Sequence, residues 1–197
     1  DQIVNHAAKM RFMSGGQFIV PLIIRTVTGG GMGLAATHSQ SLEGWYASVP
    51  GLKVVVPSTP YDALGLLRTA FRDSNPVMFV EHALLYKAKG NVPEEFYTVP
   101  FGQAEVRRTG RDLTIVAIGQ MVNVALEAAD RYAERGREVE VIDLRTLSPL
   151  DIPTVIESTK KTGRVVVLDE AWQTGSFVTE VAYQIQHEAL DYLDGPV

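Results

Sequence analysis

Lys53-Val54-Val55-Val56-Pro57-Ser58-Thr59-Pro60-Tyr61-Asp62-Ala63 reads as a strand handed to a helix. The run from Lys53 to Val56 has the β-branched composition of a strand. Thr59 can cap free helix amides, and Pro60 suits the first helical position, where its missing N–H would have had no partner. Asp62 then sits at the positive end of the helix dipole. Ala63, Leu66, Leu67, Ala70 and Phe71 recur at helical spacing and predict a helix that packs on a core. Val77 to Val80 follows as the next strand. A strand, a helix and a second strand in close succession form the unit of a parallel sheet, because parallel neighbours need a crossover between them.

Working outward from this stretch extends the pattern in both directions. Upstream, Ile3, Val4, Ala7, Ala8 and Met10 follow a helical spacing that Gly15-Gly16 ends, and Pro21 to Arg25 fits a buried strand. Between that strand and Lys53 lie Gly29-Gly30-Gly31-Met32-Gly33 and Ala36-Thr37-His38-Ser39-Gln40-Ser41. Ser39 or Ser41 is placed to cap a short helix through Leu42, Trp45 and Tyr46. Downstream, periodicity is lost from Lys87 to Arg111, where Gly90, Pro93, Pro100, Gly102 and Gly110 predict a linker over 87–112. Alternation then resumes: a strand over Leu113 to Ile118, a helix over Met121 to Glu134 and a strand over Val139 to Ile142. A short helix over Ile152 to Ser158, a strand over Arg164 to Leu168 and a helix over Phe177 to Ala189 complete it. The reading is an α/β chain with mainly parallel sheets, divided into units 1–86 and 113–197.

Bulk properties narrow the function classes. A chain of 197 residues leaves room for one large or two modest domains, and an apolar fraction of 46% is ordinary for a cored protein. The formal net charge of -5 gives no basic footprint, which speaks against nucleic acid or an anionic membrane as partner. With no cysteine, disulfides, thiolate metal sites and a thiol nucleophile are excluded. No segment approaches the apolar length of a membrane span. Asp1-Gln2-Ile3-Val4 opens as if inside a helix and follows no signal peptide, so the expectation is a chain begun mid-protein or cut there.

Few residues carry a chemical signal. Gly31-Met32-Gly33-Leu34-Ala35-Ala36 formally matches the dinucleotide fingerprint, but several residues separate Arg25 from the glycines and no carboxylate follows Val56, so nicotinamide binding is disfavoured. His38 lies just beyond glycines that permit a sharp turn and close approach to a ligand, and its imidazole can move a proton near neutral pH. The competing reading is a histidine bonded only to its own loop. Asp73 and Asn75, at a helix end after Ala70, can either hold a hard cation with nearby carbonyls or close a turn on their own backbone. His6, His82 and His187 form no pair with zinc-ligand spacing. Asp169-Glu170 has the look of a catalytic pair at a strand end, yet no partner for it is evident along the chain. Ser14 lacks a nucleophile elbow.

Taken in order, Val20-Pro21-Leu22-Ile23-Ile24-Arg25, the His38 segment, Gly51-Leu52-Lys53 with the stretch quoted above, Asp73-Ser74-Asn75-Pro76-Val77, Glu81-His82-Ala83-Leu84-Leu85-Tyr86 and Val141-Ile142-Asp143-Leu144-Arg145-Thr146-Leu147-Ser148-Pro149-Leu150-Asp151 resemble a known family. It is the β subunit of the thiamine-diphosphate-dependent 2-oxoacid dehydrogenases, most closely that of pyruvate dehydrogenase. The resemblance implies part of a transketolase-like pyrimidine-binding domain followed by a transketolase C-terminal-like domain. His38 would orient the 2-oxoacid or the lipoyl group and assist proton transfer. Leu22, Ala70, Asp73 and Asn75 would form a potassium site, and His82 would belong to the domain junction. The resemblance also implies an α subunit that holds the diphosphate and its magnesium, a second β subunit and a dihydrolipoyl acyltransferase core as partners. The expected compartment is the cytoplasm, or the mitochondrial matrix of a eukaryote. The family's activating glutamate and stacking aromatic belong to sequence before the position of Asp1, and the last elements of its C-terminal domain follow Val197. No cofactor-binding residue is therefore expected in this chain, which should be inactive alone. Branched-chain 2-oxoacid and acetoin dehydrogenase β subunits share the resemblance, as does a docking module without activity.

Overall fold

In the computed structural model, which describes residues 1–197, two four-stranded sheets each combine three parallel strands with one antiparallel strand. The first sheet contains β1 (Ile23–Thr28), β2 (Lys53–Val55), β3 (Val77–His82) and β7 (Thr146–Ser148), in the order β1-β3-β2-β7. The second contains β4 (Glu105–Arg108), β5 (Leu113–Ala117), β6 (Val139–Asp143) and β8 (Val165–Leu168), in the order β4-β6-β5-β8. The antiparallel members are β7 against β2 and β4 against β6.

Helices join and cover these strands: α1 (Ala8–Met13), α2 (Glu43–Ala47), α3 (Pro60–Ala70), α4 (Met121–Ala133), α5 (Ile152–Thr162) and α6 (Phe177–Ala189). The start of α3 follows the expected chemistry: Thr59 Oγ1 accepts the Asp62 amide at 3.1 Å, with Pro60 in the first turn. Asp151 and Ser176 cap α5 and α6 in the same way, at 3.3 Å each. No helix is long and apolar enough to cross a membrane.

Strand alternation builds three layers of core. Val55, Val77 and Phe79 face α3 through Leu66 and Ala70, whereas Ile115, Ala117, Val139 and Val141 face α4 through Val122, Ala125 and Ala129. The opposite faces of both sheets meet in a single cluster: Val54, Val56, Met78 and Val80 from the first sheet join Val116, Ile118, Ile142 and Leu144 from the second. Val155, Val181 and Ile185 of α5 and α6 complete it. The two units therefore share their largest core.

Three expectations need correction. The stretch 87–112 is not all linker, since β4 lies inside it. Its Glu-Val-Arg-Arg composition hides the strand, because only one residue is apolar and β4 is an edge of its sheet. The short strand β7 was also unforeseen: after β6 the chain returns to pair Thr146 and Ser148 with β2. Finally, neither Ser39 nor Ser41 caps α2, because the helix begins at Glu43 with Leu42 in the cap position.

Candidate active site

The carboxyl ends of the parallel strands of both sheets converge on the loop that joins β1 to α2. Gly29, Gly31 and Gly33 adopt φ values of 86°, 85° and 69°, and Ala35, at φ 62° and ψ −172°, also takes a positive φ that residues with a side chain rarely adopt. Ala36–His38 is a single 3-10 turn with no buried residue, so the His38 imidazole stands in solvent. It borders an open cavity of about 490 Å3 also lined by Thr28, Gln40, Glu43 and Tyr46. No lysine or arginine lines this cavity.

Beneath the loop lies a polar layer. Thr28 Oγ1 stands 3.2 Å from the Gln40 carbonyl and 3.0 Å from Glu43 Oε2. The one hydroxyl proton of Thr28 is shared between these two acceptors. Burial pushes the Glu43 carboxyl above its ordinary value, and the negative charges of Asp169 and Glu170 push it further. Gln40 braces the turn, accepting the Gly29 amide at 3.2 Å on its carbonyl and donating from Nε2 to the Ala36 carbonyl at 3.1 Å.

The second domain reaches this layer from the end of β8. Glu170 Oε1 accepts the Gly30 amide at 3.0 Å, and Glu170 Oε2 pairs with Nε2 of His82. His82 ends β3 and is buried, with Nδ1 accepting the Leu84 amide at 3.2 Å. Asp169 accepts the Ser176 hydroxyl at 3.0 Å. The carboxylate pair at this strand end thus has partners after all. They come from the first domain and from the cap of α6, and separations of 88 residues (His82 to Glu170) and 140 residues (Gly30 to Glu170) kept them out of sight in the sequence.

The remaining predicted site residues share one corner, away from His38. The Asp73 amide donates to the Ala70 carbonyl at 3.2 Å, and the Leu22 carbonyl accepts from Val77 at 2.8 Å. Asp73 Oδ1 accepts both the backbone amide and the side-chain amide of Asn75, at 2.8 and 2.7 Å, while Lys53 Nζ lies 3.0 Å from Asp73 Oδ2. Burial alone would raise the Asp73 carboxyl, but these donors outweigh it and hold the group below the ordinary carboxylate value. No group of three or more His, Asp or Glu residues is placed to hold a metal ion.

Sequence reasoning missed a second constellation at the domain junction. Arg107 of β4 pairs with Asp62 of α3 and with Asp143 of β6, the latter at 2.8 Å, and Ser58 also donates to Asp143. Arg145, with φ 58°, reaches Asp62 at 2.8 Å and Glu105 at 2.9 Å. Asp62 and Asp143 are fully buried.

A glycine-rich loop at the carboxyl ends of parallel strands, bordering an open cavity and floored by residues of a second α/β unit, belongs to a two-domain α/β protein whose loop and second domain meet at the domain junction. The description "Transketolase, pyrimidine binding domain" matches residues 2–89, and "Transketolase, C-terminal domain" matches residues 102–197, so the chain carries these two transketolase-type domains in succession. It is 49% identical over its whole length to the acetoin:2,6-dichlorophenolindophenol oxidoreductase subunit beta of Bacillus subtilis (strain 168), covering 58% of that protein. To the pyruvate dehydrogenase E1 component subunit beta of the same organism it is 47% identical, again over its whole length and covering 61% of that protein. In three dimensions it resembles a split-gene transketolase solved as an inactive beta4 tetramer, with a TM-score of 0.79 and 25% identity over 95% of this chain and 58% of that one. The chain thus spans about three fifths of the length of these two relatives.

Proposed function

We propose that the chain is the part of a 2-oxoacid dehydrogenase β subunit that presents His38 to the reacting end of a shared thiamine diphosphate site, with pyruvate as substrate. The observation that carries this reading is the exposed His38 imidazole at the mouth of a cavity, on a loop braced from both domains. There it can bond the 2-oxoacid carboxylate or the lipoyl sulfur and exchange a proton as acyl transfer proceeds. Glu43 forms the buried wall behind His38, where burial pushes its carboxyl above the ordinary value.

The cavity does not fit the diphosphate end of the cofactor, because it offers no cationic side chain to neutralise it. The diphosphate and its magnesium therefore fall to an α subunit, with the chemistry completed by residues outside this chain. A second β subunit and a dihydrolipoyl acyltransferase core complete the assembly in this reading. In the same reading the corner of Leu22, Ala70, Asp73 and Asn75 takes potassium through the remaining lone pairs of its carbonyl and side-chain oxygens, which already accept donors. A second reading, with acetoin as substrate, draws on the 49% identity to an acetoin oxidoreductase β subunit.

The test is reconstitution of the full-length subunit with its α partner, followed by turnover of pyruvate, a branched 2-oxoacid and acetoin with a lipoyl acceptor. Preference for pyruvate is the expected result. Preference for acetoin moves the assignment to the second reading, and no turnover of any of the three overturns both.

A further inference from the structure

We propose that Glu170, in the C-terminal domain, is a positioning residue for the His38 loop of the pyrimidine-binding domain; this rests on the reading of His38 given above. From Gly30 to Leu34 the loop makes no backbone-to-backbone hydrogen bond. The one hydrogen bond along that limb is from the Gly30 amide to Glu170 Oε1, at 3.0 Å. The other carboxylate oxygen holds His82 Nε2. Because the Leu84 amide donates to Nδ1, the imidazole bears its proton on Nε2 and donates it to Glu170. The same ring forms the floor under the loop. A Cβ at Gly29 would fall 1.9 Å from His82 Nε2, so the backbone can lie this close only as glycine.

One carboxylate thus fixes both the loop's free limb and the imidazole it rests on. An ionised acceptor makes each of these bonds stronger than a neutral one would. The downstream limb is held within its own domain by Gln40. Gly30 and Glu170 are 140 residues apart, so the upstream limb is held only while the two domains are docked. Asp169 does not compete for the loop, because its oxygens are taken by the Ser176 hydroxyl and the Ala171 amide.

The experiment uses the full-length subunit assembled with its α partner, as wild type, Glu170→Ala, the isosteric Glu170→Gln, His38→Ala and the Glu170→Ala/His38→Ala double variant. Amide exchange across residues 29–40 is read first. Glu170→Ala should speed it by about ten-fold, as expected for loss of a charge-assisted bond, and Glu170→Gln by less. Turnover is read second. Glu170→Ala should lower kcat by roughly 10- to 100-fold with little change in KM, in the manner of a displaced catalytic group. That loss should disappear in the His38→Ala background, whereas a merely structural defect would persist there. Unchanged exchange in both Glu170 variants overturns the proposal, and so does a kcat loss that remains undiminished once His38 is gone. If His38→Ala alone turns over like wild type, the reading of His38 fails, while the exchange measurement still decides whether Glu170 holds the loop.

Discussion

The His38 loop and the Asp62–Arg107–Asp143–Arg145 clasp both stand where the two domains meet, and they are built in opposite ways. The loop is glycine-rich, carries an alanine at φ 62°, and leaves its histidine in water. The clasp buries two carboxylates completely and surrounds them with guanidinium groups and a serine hydroxyl. A group that must meet a ligand has to remain accessible, and its backbone tolerates strain because other residues hold it in place. A charge withdrawn from water must instead be held against opposite charge, because losing a partner leaves the others uncompensated; the ion pairs do this here even though Arg145 Nε makes no hydrogen bond. From this contrast we propose chemistry for the loop and domain docking for the clasp.

The sharpest way to break this division is Arg107→Ala. It leaves the buried Asp143 with no cationic partner and Asp62 with Arg145 alone, and should cost about 3–5 kcal/mol of unfolding free energy by chemical denaturation. A loss under about 1 kcal/mol would show that the clasp does not hold the domains.

Glu43→Gln sharpens the loop side. The Glu43 carboxyl lies above its ordinary value in the folded protein, so its contribution is fully present below the unfolded value and is lost as pH rises through the folded one. Replacing it with a neutral amide should therefore stabilise the protein by about 1 kcal/mol at pH 8. That gain should vanish below about pH 4, where the glutamate is protonated in both states. An equal effect at both pH values would rule out a buried, reluctantly ionised Glu43.

The smallest effect is expected at Asp73, whose carboxyl is depressed and so stabilises above the unfolded value. Asp73→Asn should cost at most about 1 kcal/mol at pH 7, with the cost fading as pH falls through the folded value. If the carbonyls of this corner take potassium, exchanging it for tetramethylammonium should lower the melting temperature; an unchanged value leaves Asp73 and Asn75 as turn residues.

What could be read from the chain, and what could not, follows the same physical line. Thr59, Pro60 and Asp62 announce α3 because a cap, a first-turn proline and an early carboxylate act within one turn of chain. The parallel strands showed through their β-branched runs. β4 and β7 did not, since one is a charged edge and the other three residues long, and both owe their existence to a distant partner. His38 could be picked out because its glycines and flanking residues lie beside it. Glu43 resembled an ordinary residue at a helix start until folding buried it, and Glu170 looked unpartnered until folding set it beside His82 and Gly30. Asp62 stands in the first turn of α3, where a carboxylate suits the helix dipole, but nothing within a turn of it hints at Arg107, 45 residues away.

The most direct test pairs two readings on one sample: the melting temperature of His38→Ala and its single-turnover rate of acyl transfer to lipoyl in the assembled enzyme. The expected result is an unchanged melting temperature with transfer slowed by about 100-fold or more, as for loss of a general acid–base group. Transfer at the wild-type rate, or a slowing matched by loss of folded protein, would contradict the assignment of chemistry to this loop.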